Sequence, residues 1–294
     1  MSISDIEGVT QLIELARRED LGQGDLTTSL IANPNEPAEF RVVLNQPGVF
    51  AGREIASAIL GAYDSALAIE WTNDGVDGRV NDDVPVELAR LRGPLAALLA
   101  VERVLLNFLQ RLCGVATFTR ALVEAVSGTG AAVYDTRKTT PGWRALEKYA
   151  VRCGGGRNHR HGLFDAVLIK DNHLSAAEKD HPAPAVYEML NRLTSLAVVP
   201  DFVEVEAGTL DQVEELFKVM GIHLILLDNF AIDELRRAVE LRDGYGLGGK
   251  VQLEASGGIT LKTVREVART GVDRISVGAL THSAVALDIS LERC

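Results

Sequence analysis

Two cations close the first apolar run in the second half of this chain: Asp135-Thr136-Arg137-Lys138, followed by Thr139-Thr140-Pro141-Gly142. An arginine fork donates two parallel hydrogen bonds to a planar carboxylate or phosphate, whereas a lysine presents a point charge. A glycine-rich basic loop comes next, Gly154-Gly155-Gly156-Arg157-Asn158-His159-Arg160. Its glycines let backbone approach a ligand closely, and His159 and Arg160 add donors. Lys170 ends the run Val167-Leu168-Ile169-Lys170. A lysine there is salt-bridged, binds an anion or acts as a Schiff-base nucleophile. Each feature also has an ordinary reading, as a surface turn or a flexible loop.

Acidic groups follow. Glu204 and Glu206 alternate with Val203 and Val205, so both project from one face of a strand. With Asp228 they could hold a magnesium ion or ribose hydroxyls, since hard cations prefer oxygen, or they could balance the nearby Arg and Lys residues. Ser256-Gly257-Gly258-Ile259, with a helix expected from Thr260, offers backbone amides to a phosphate. Val277-Gly278-Ala279 makes a second such turn.

Charge supports a small anionic ligand. The chain of 294 residues carries a net charge of −11, which argues against nucleic acid. Yet between Arg137 and His173 eight Lys or Arg residues face three acids, a local excess of positive charge at the ends of apolar runs. No basic and then apolar leader opens the sequence, and the most apolar segment, 94–112, contains Glu102, Arg103 and Arg111. Three widely spaced cysteines exclude a disulfide framework. A soluble cytoplasmic protein without a membrane partner is expected.

The elements that must position these groups alternate regularly after residue 130. Buried strands are expected at 131–136, 165–170, 202–206, 223–228, 251–256 and 273–277. Helices are expected at 186–193, 210–220, 232–241 and 261–268, with a polar insert at 176–184. Such alternation gives a parallel sheet. Polar groups at many successive strand ends fit a (β/α) barrel better than a dinucleotide fold, which would want a GxGxxG after its first strand. Earlier, a helix at 6–19 precedes extended segments near 39–45, 49–51, 68–72 and 86–92. Two long helices, 94–112 and 117–126, are separated at Gly114. The fold class is α/β: an incomplete parallel α/β barrel of six or seven strands, preceded by a small, mostly antiparallel sheet.

Together, Glu19 to Thr28, Glu102 to Asn107, Asp135 to Gly142, Asn158-His159-Arg160, Leu168 to His173, Val203 to Glu206, Leu227-Asp228-Asn229, Ser256-Gly257-Gly258 and Gly278 to His282 resemble the carboxylating nicotinate-nucleotide pyrophosphorylases, in family order over nearly the whole chain. The resemblance implies an N-terminal α+β sandwich-like domain over 1–115, an open α/β barrel over 116–278 and a tail, 279–294, returning to the first domain. It implies phosphoribosyl transfer from phosphoribosyl pyrophosphate to quinolinate, with decarboxylation. It implies that Arg137, His159, Arg160 and Lys170 hold the two carboxylates, with Arg103 reaching in from the other subunit of a homodimer that could assemble into hexamers. Lys138, Glu206 and Asp228 would engage the ribose pyrophosphate and its magnesium. Thr136, Ser256, Gly257, Gly258, Gly278, Ala279 and His282 would complete the substrate site. Cys113 stands where the family pattern leads one to expect a small hydroxyl residue, and the stretch between Glu206 and Asp228 is one residue longer than usual. That extra residue leaves the choice between Glu204 and Glu206 open. The competing readings are a transferase of the same fold with another anionic acceptor, an aldolase using Lys170, and a non-catalytic anion-binding barrel.

Overall fold

A computed structural model describes residues 7–196 and 198–294. In chain order the elements are α1 (Glu7–Leu21), β1 (Pro37–Leu44), β2 (Gly48–Val49), α2 (Arg53–Tyr63), β3 (Ala68–Trp71), β4 (Val80–Asn81), β5 (Val86–Pro94) and α3 (Leu95–Ala125). Then come β6 (Ala132–Tyr134), α4 (Arg144–Cys153), β7 (Val167–Ile169), α5 (Ala176–Asp180), α6 (Ala183–Ser195), β8 (Val203–Ala207), α7 (Leu210–Leu216) and β9 (Leu224–Asp228). The chain closes with α8 (Ile232–Gly244), β10 (Gln252–Ser256), α9 (Val264–Ala268), β11 (Arg274–Ser276), α10 (Ala279–His282) and β12 (Ile289–Arg293).

Two compact units divide these elements. One comprises Met1–Arg120, Lys138–Gly156 and Ala279–Cys294; the other comprises Ala121–Arg137 and Arg157–Gly278. The first unit is built on a four-stranded antiparallel sheet, β12-β1-β5-β3, in which the C-terminal strand pairs with β1 from Phe40↔Arg293 to Leu44↔Ile289. One face of β1 and β5 is apolar and buried (Phe40, Val42, Leu44, Leu91), so this sheet has a dry side of its own.

The second unit is a six-stranded, wholly parallel sheet in the order β6-β11-β10-β9-β8-β7. Its strands are short β-branched and leucine runs buried on both faces, as a sheet flanked by helices requires. The strands β6 and β7 are its two edges, so the barrel is open, as expected. Arg157 bridges to Tyr134 on β6, and the segment that follows runs on to β7.

Several expectations need correction. The helices placed at 94–112 and 117–126 are one helix of 31 residues. Gly114 does not break it, because the residue serves close packing: a Cβ there would lie 2.1 Å from the carbonyl oxygen of Val285. The polar insert contains α5, whose N-cap Ser175 accepts from the Glu178 backbone while Glu178 reaches back to the Ser175 N–H. The helix expected from Thr260 begins at Val264, after a turn in which Thr263 Oγ1 accepts the Thr260 N–H. The N-terminal helix is seen from Glu7; Ile6, its expected first residue, lies outside the described residues. Among the described residues, no helix is long and apolar enough to cross a membrane.

Candidate active site

The parallel unit carries most of the candidate residues at the C-terminal ends of its strands. Asp135, fully buried just after β6, organises the first of them. Its Oδ1 accepts the His159 backbone N–H at 2.8 Å and its Oδ2 accepts from Asn158 Nδ2 at 2.6 Å. Its own N–H donates to the Arg157 carbonyl. One carboxylate thus pins the glycine-led loop to the edge strand and fixes where His159 and Arg160 emerge. Thr136 and Arg137 follow, half-buried, and Arg137 Nε is buried with no hydrogen-bond partner among the described residues.

Arg160 is 8% exposed and donates from Nη1 to the Ala166 carbonyl at 3.3 Å, just ahead of β7. Burial holds its pKa below the ordinary guanidinium value, and the positive charge of Arg137 lowers it further, with Glu204 and Asp165 opposing. Two guanidiniums in repulsion, one buried and one with an unmet donor, form a site short of an anion.

His159 is also buried. Its Nδ1 accepts the Arg160 backbone N–H at 2.8 Å. That leaves the ring proton on Nε2, which lies 2.9 Å from Glu204 Oε2 and 3.5 Å from Glu254 Oε1. The ring edge meets Phe202 at a centroid distance of 5.2 Å. Sequence reasoning gave His159 a role at a substrate carboxylate; here both ring nitrogens face the protein. The three side chains satisfy the spacing of a metal cluster, their donor atoms lying within 4.8 Å of one another. A protonated Nε2 has no lone pair for an ion, so the imidazole is not a ligand in this arrangement.

At the opposite edge, Lys170 follows β7 and places Nζ 3.5 Å from Glu206 Oε2, the salt-bridged alternative among the three. Glu206 is half-buried on β8. Burial raises its pKa and Asp228 raises it further, while Lys170 opposes both. The ambiguity between the two β8 glutamates therefore resolves geometrically: Glu204 points into the protein with His159, and Glu206 lies with Lys170 and Asp228. Hard oxygen donors that repel one another suit magnesium, and Glu206 and Asp228 are such a pair.

Asp228 ends β9, and Asn229 beside it adopts a left-handed φ of 59°. This conformation brings Asn229 Nδ2 to Asp228 Oδ2 at 2.8 Å and its N–H to the Ser256 carbonyl. Ser256 ends β10, and Gly257 and Gly258 follow with φ values of 101° and 59°, a left-handed turn that exposes backbone. Gly278, half-buried, follows β11 beyond the Val277 N–H, which bonds to the Tyr134 carbonyl.

The other candidates belong to the first unit. Arg103 is exposed on α3, its guanidinium 3.7 Å from Glu102. Lys138 is exposed, and its carbonyl accepts from Thr281 Oγ1 at 2.7 Å. Ala279 opens α10 and the exposed His282 closes it, with Nδ1 2.7 Å from Ser283 Oγ. Arg111 ties this unit together: it donates to the buried Glu147 carboxylate at 2.7 Å and to the Thr281 and Ala284 carbonyls, and Glu147 also accepts from Thr140.

Sequence reasoning missed the supporting groups Asp135, Glu254, Asn229 and the Arg111–Glu147 pair. For Asp135, Glu147 and Glu254 the signal was an acid inside or beside an apolar run, as in Leu253-Glu254-Ala255, where a carboxylate is stable only if something in the fold meets it.

Comparison with known proteins places the chain in a family. The profile of the quinolinate phosphoribosyl transferase C-terminal domain matches residues 115–292, and that of the N-terminal domain matches residues 25–113. A probable carboxylating nicotinate-nucleotide pyrophosphorylase of Bacillus subtilis is 40% identical, covering 93% of this chain and 89% of its own. A decarboxylating quinolinate phosphoribosyltransferase of Nicotiana tabacum is 38% identical, over 98% and 82% respectively. The nicotinate-nucleotide pyrophosphorylase structure from Francisella tularensis superposes with a TM-score of 0.87 at 34% identity, covering 100% of this chain and 99% of that one. With both domains matched and relatives aligned nearly end to end, this chain belongs to the quinolinate phosphoribosyl transferase family.

Proposed function

We propose that the chain transfers the phosphoribosyl group of phosphoribosyl pyrophosphate to the ring nitrogen of quinolinate and releases pyrophosphate and carbon dioxide, giving nicotinate mononucleotide for NAD biosynthesis. The observation that carries this reading is the pair Arg137 and Arg160. Two neighbouring guanidiniums, one of them buried, call for a compact dianion, and quinolinate is a planar dicarboxylate of that kind.

The chemistry follows from the groups present. Arg137, Arg160 and Lys170 would neutralise the two carboxylates and orient the ring nitrogen toward the ribose C1. The nitrogen's electron pair forms the new C–N bond as the C1–O bond to pyrophosphate breaks. Glu206 and Asp228 would hold magnesium, which supplies positive charge to the departing pyrophosphate. Lys138 would add a cation at the same end, and the Ser256–Gly258 and Gly278–Ala279 turns, with His282, would receive the 5′-phosphate. After transfer the ring nitrogen is cationic. The adjacent carboxylate then leaves as carbon dioxide, its bonding pair stays on the ring carbon, and that carbon takes up a proton.

In this reading the enzyme is a cytoplasmic homodimer, with hexamers a further assembly step. The exposed Arg103 reaches the site of the other subunit and supplies a further cation for the dicarboxylate. The test is to combine purified protein, quinolinate, phosphoribosyl pyrophosphate and magnesium and to follow nicotinate mononucleotide and carbon dioxide. Equal formation of both is expected. Pyrophosphate release without carbon dioxide would point to another acceptor, and no turnover with any pyridine acid would sink the transferase reading.

A further inference from the structure

Glu204 on β8 and Glu254 on β10 are both fully buried in the parallel sheet, where their register partners on β9 are Leu224 and Leu226 and Arg274 on β11 pairs with Glu254. Among the described residues, both oxygens of each carboxylate are buried without a hydrogen-bond partner of good geometry, although Ser276 and Arg274 act on Glu254 from β11. Burying one carboxylate costs several kcal/mol, and burying two side by side costs more, unless the fold gains something from their presence. The proposed reaction uses neither. The group both of them approach is the imidazole of His159, at 2.9 and 3.5 Å through Nε2.

The imidazole has two ends, and the second is the informative one. His159 Nδ1 accepts the backbone N–H of Arg160, and that bond exists only if Nδ1 carries no proton. A pair of acceptors at Nε2 favours the tautomer with its proton there. Two carboxylates at one end of the ring therefore specify an acceptor at the other end. Arg160 is the next residue, its guanidinium is buried, and its side chain donates to the Ala166 carbonyl over a long 3.3 Å. Its placement rests on the backbone on either side: Asp135 accepts the His159 N–H and His159 Nδ1 accepts the Arg160 N–H, while Asp165 accepts the His161 and Gly162 N–H groups beyond it.

We propose that Glu204 and Glu254 are positioning residues that act through the Nε2–H tautomer of His159 to hold Arg160 at the dicarboxylate site. The idea rests on the transferase reading for the identity of the anion but not for the hydrogen-bond chain itself. Its physical content is that β8 and β10, which carry no guanidinium of the anion site, set the guanidinium geometry in the segment that runs from β6 to β7. The Arg160 N–H, aimed at Nδ1, opposes a doubly protonated His159, which would turn a donor toward it and break the chain.

Two measurements on the full chain test this. The first is the ring-nitrogen spectrum of protein labelled with 15N-histidine. The chain has 6 histidines, so the His159 signals can be identified by their loss in His159→Asn. A protonated Nε2 and an unprotonated Nδ1 are expected, and the reverse tautomer would overturn the proposal whatever the activity. The second is steady-state kinetics of Glu204→Gln, which keeps an oxygen acceptor, beside Glu204→Leu, which removes it. Glu204→Leu should raise KM for quinolinate about tenfold or more with KM for phosphoribosyl pyrophosphate unchanged and kcat within about threefold, and Glu204→Gln should restore most of the loss. Equal loss toward both substrates, or no difference between the two variants, would overturn it. If Glu204→Leu fails to fold, the spectrum of Glu204→Gln still decides, since the tautomer must persist there. Failure of the parent reading looks different: the wild-type protein would not convert quinolinate, while the histidine spectrum would stand.

Discussion

Gly257 sits against Asn229 so closely that a methyl group on it would lie 2.1 Å from Asn229 Oδ1. Asn229 in turn donates from its amide to Asp228 at 2.8 Å. The glycine therefore contributes more than an exposed amide: it leaves room for the side chain that orients the carboxylate at the end of the neighbouring strand.

A single methyl group should disturb both. Gly257→Ala places a side chain at φ 101°, a region L-residues avoid, and drives it into Asn229. The expected result is a loss of stability of roughly 1–3 kcal/mol together with a fall in kcat/KM of about tenfold or more. Asn229→Gly, which keeps the left-handed backbone and removes the amide, separates the two effects: activity should fall while stability changes little. Urea unfolding beside steady-state kinetics checks both, and full activity in Asn229→Gly would show that Asp228 needs no such partner.

The cationic site makes the most direct prediction. Arg137→Ala or Lys170→Ala should lower turnover at least about tenfold, because each removes a charge that orients and neutralises the dianion. The fold should survive in both, since neither side chain is fully buried and Arg137 Nε has no partner to lose. Circular dichroism and quinolinate kinetics together give the answer. Arg137→Lys should not rescue fully, because an ammonium cannot supply the bidentate fork.

Much of this was legible in the sequence because barrel strands advertise themselves. Runs such as Leu224–Asp228 are apolar until their last residue, so a polar strand end is visible without coordinates. What stayed hidden was long-range. Gly114 has a breaker's composition, but its role inside α3 depends on the chain at Val285, 171 positions later. The strands β4 and β12 are short and exist because of their partners, β2 and β1. Glu204 and Glu206 look equivalent by alternation, and only the positions of His159 and Lys170 tell them apart.

Buried Glu254 predicts a pH-dependent stability. Burial raises its pKa from 4.5 to about 7, and the charge of Glu204 adds to the effect, with His159 opposing. From about pH 4.5 to 7 the folded chain retains a proton that the unfolded chain releases, so this group makes stability fall as pH rises through that window. Above it the contribution is flat. Glu254→Gln removes the titration. Its stability relative to the wild type should therefore increase from pH 5 to pH 8, by on the order of 1–3 kcal/mol. Chemical denaturation at pH 5, 6, 7 and 8 reads the difference directly. A constant offset would mean that the carboxyl titrates alike in both states.

Arg111 and Glu147 predict an asymmetry between the two halves of an ion pair. Glu147 is fully buried, and its carboxylate is met by Arg111 at 2.7 Å and by the N–H and hydroxyl of Thr140. Arg111→Ala strands that charge and also abandons the Thr281 and Ala284 carbonyls, so a loss of about 3–5 kcal/mol is expected. Glu147→Gln keeps one oxygen to accept from Arg111 and the Thr140 hydroxyl but loses the acceptor of the Thr140 N–H, and should cost about 1–2 kcal/mol. The double variant Arg111→Met with Glu147→Leu removes both charges at once and should be more stable than Arg111→Ala alone, because no buried charge is left unpaired. Thermal or urea unfolding of these proteins, with the single variants Arg111→Met and Glu147→Leu added, closes the cycle. If the double variant were no better than the sum of its parts, the pair would be two independent contacts, and the loop after Lys138 would owe its order to Thr140 alone.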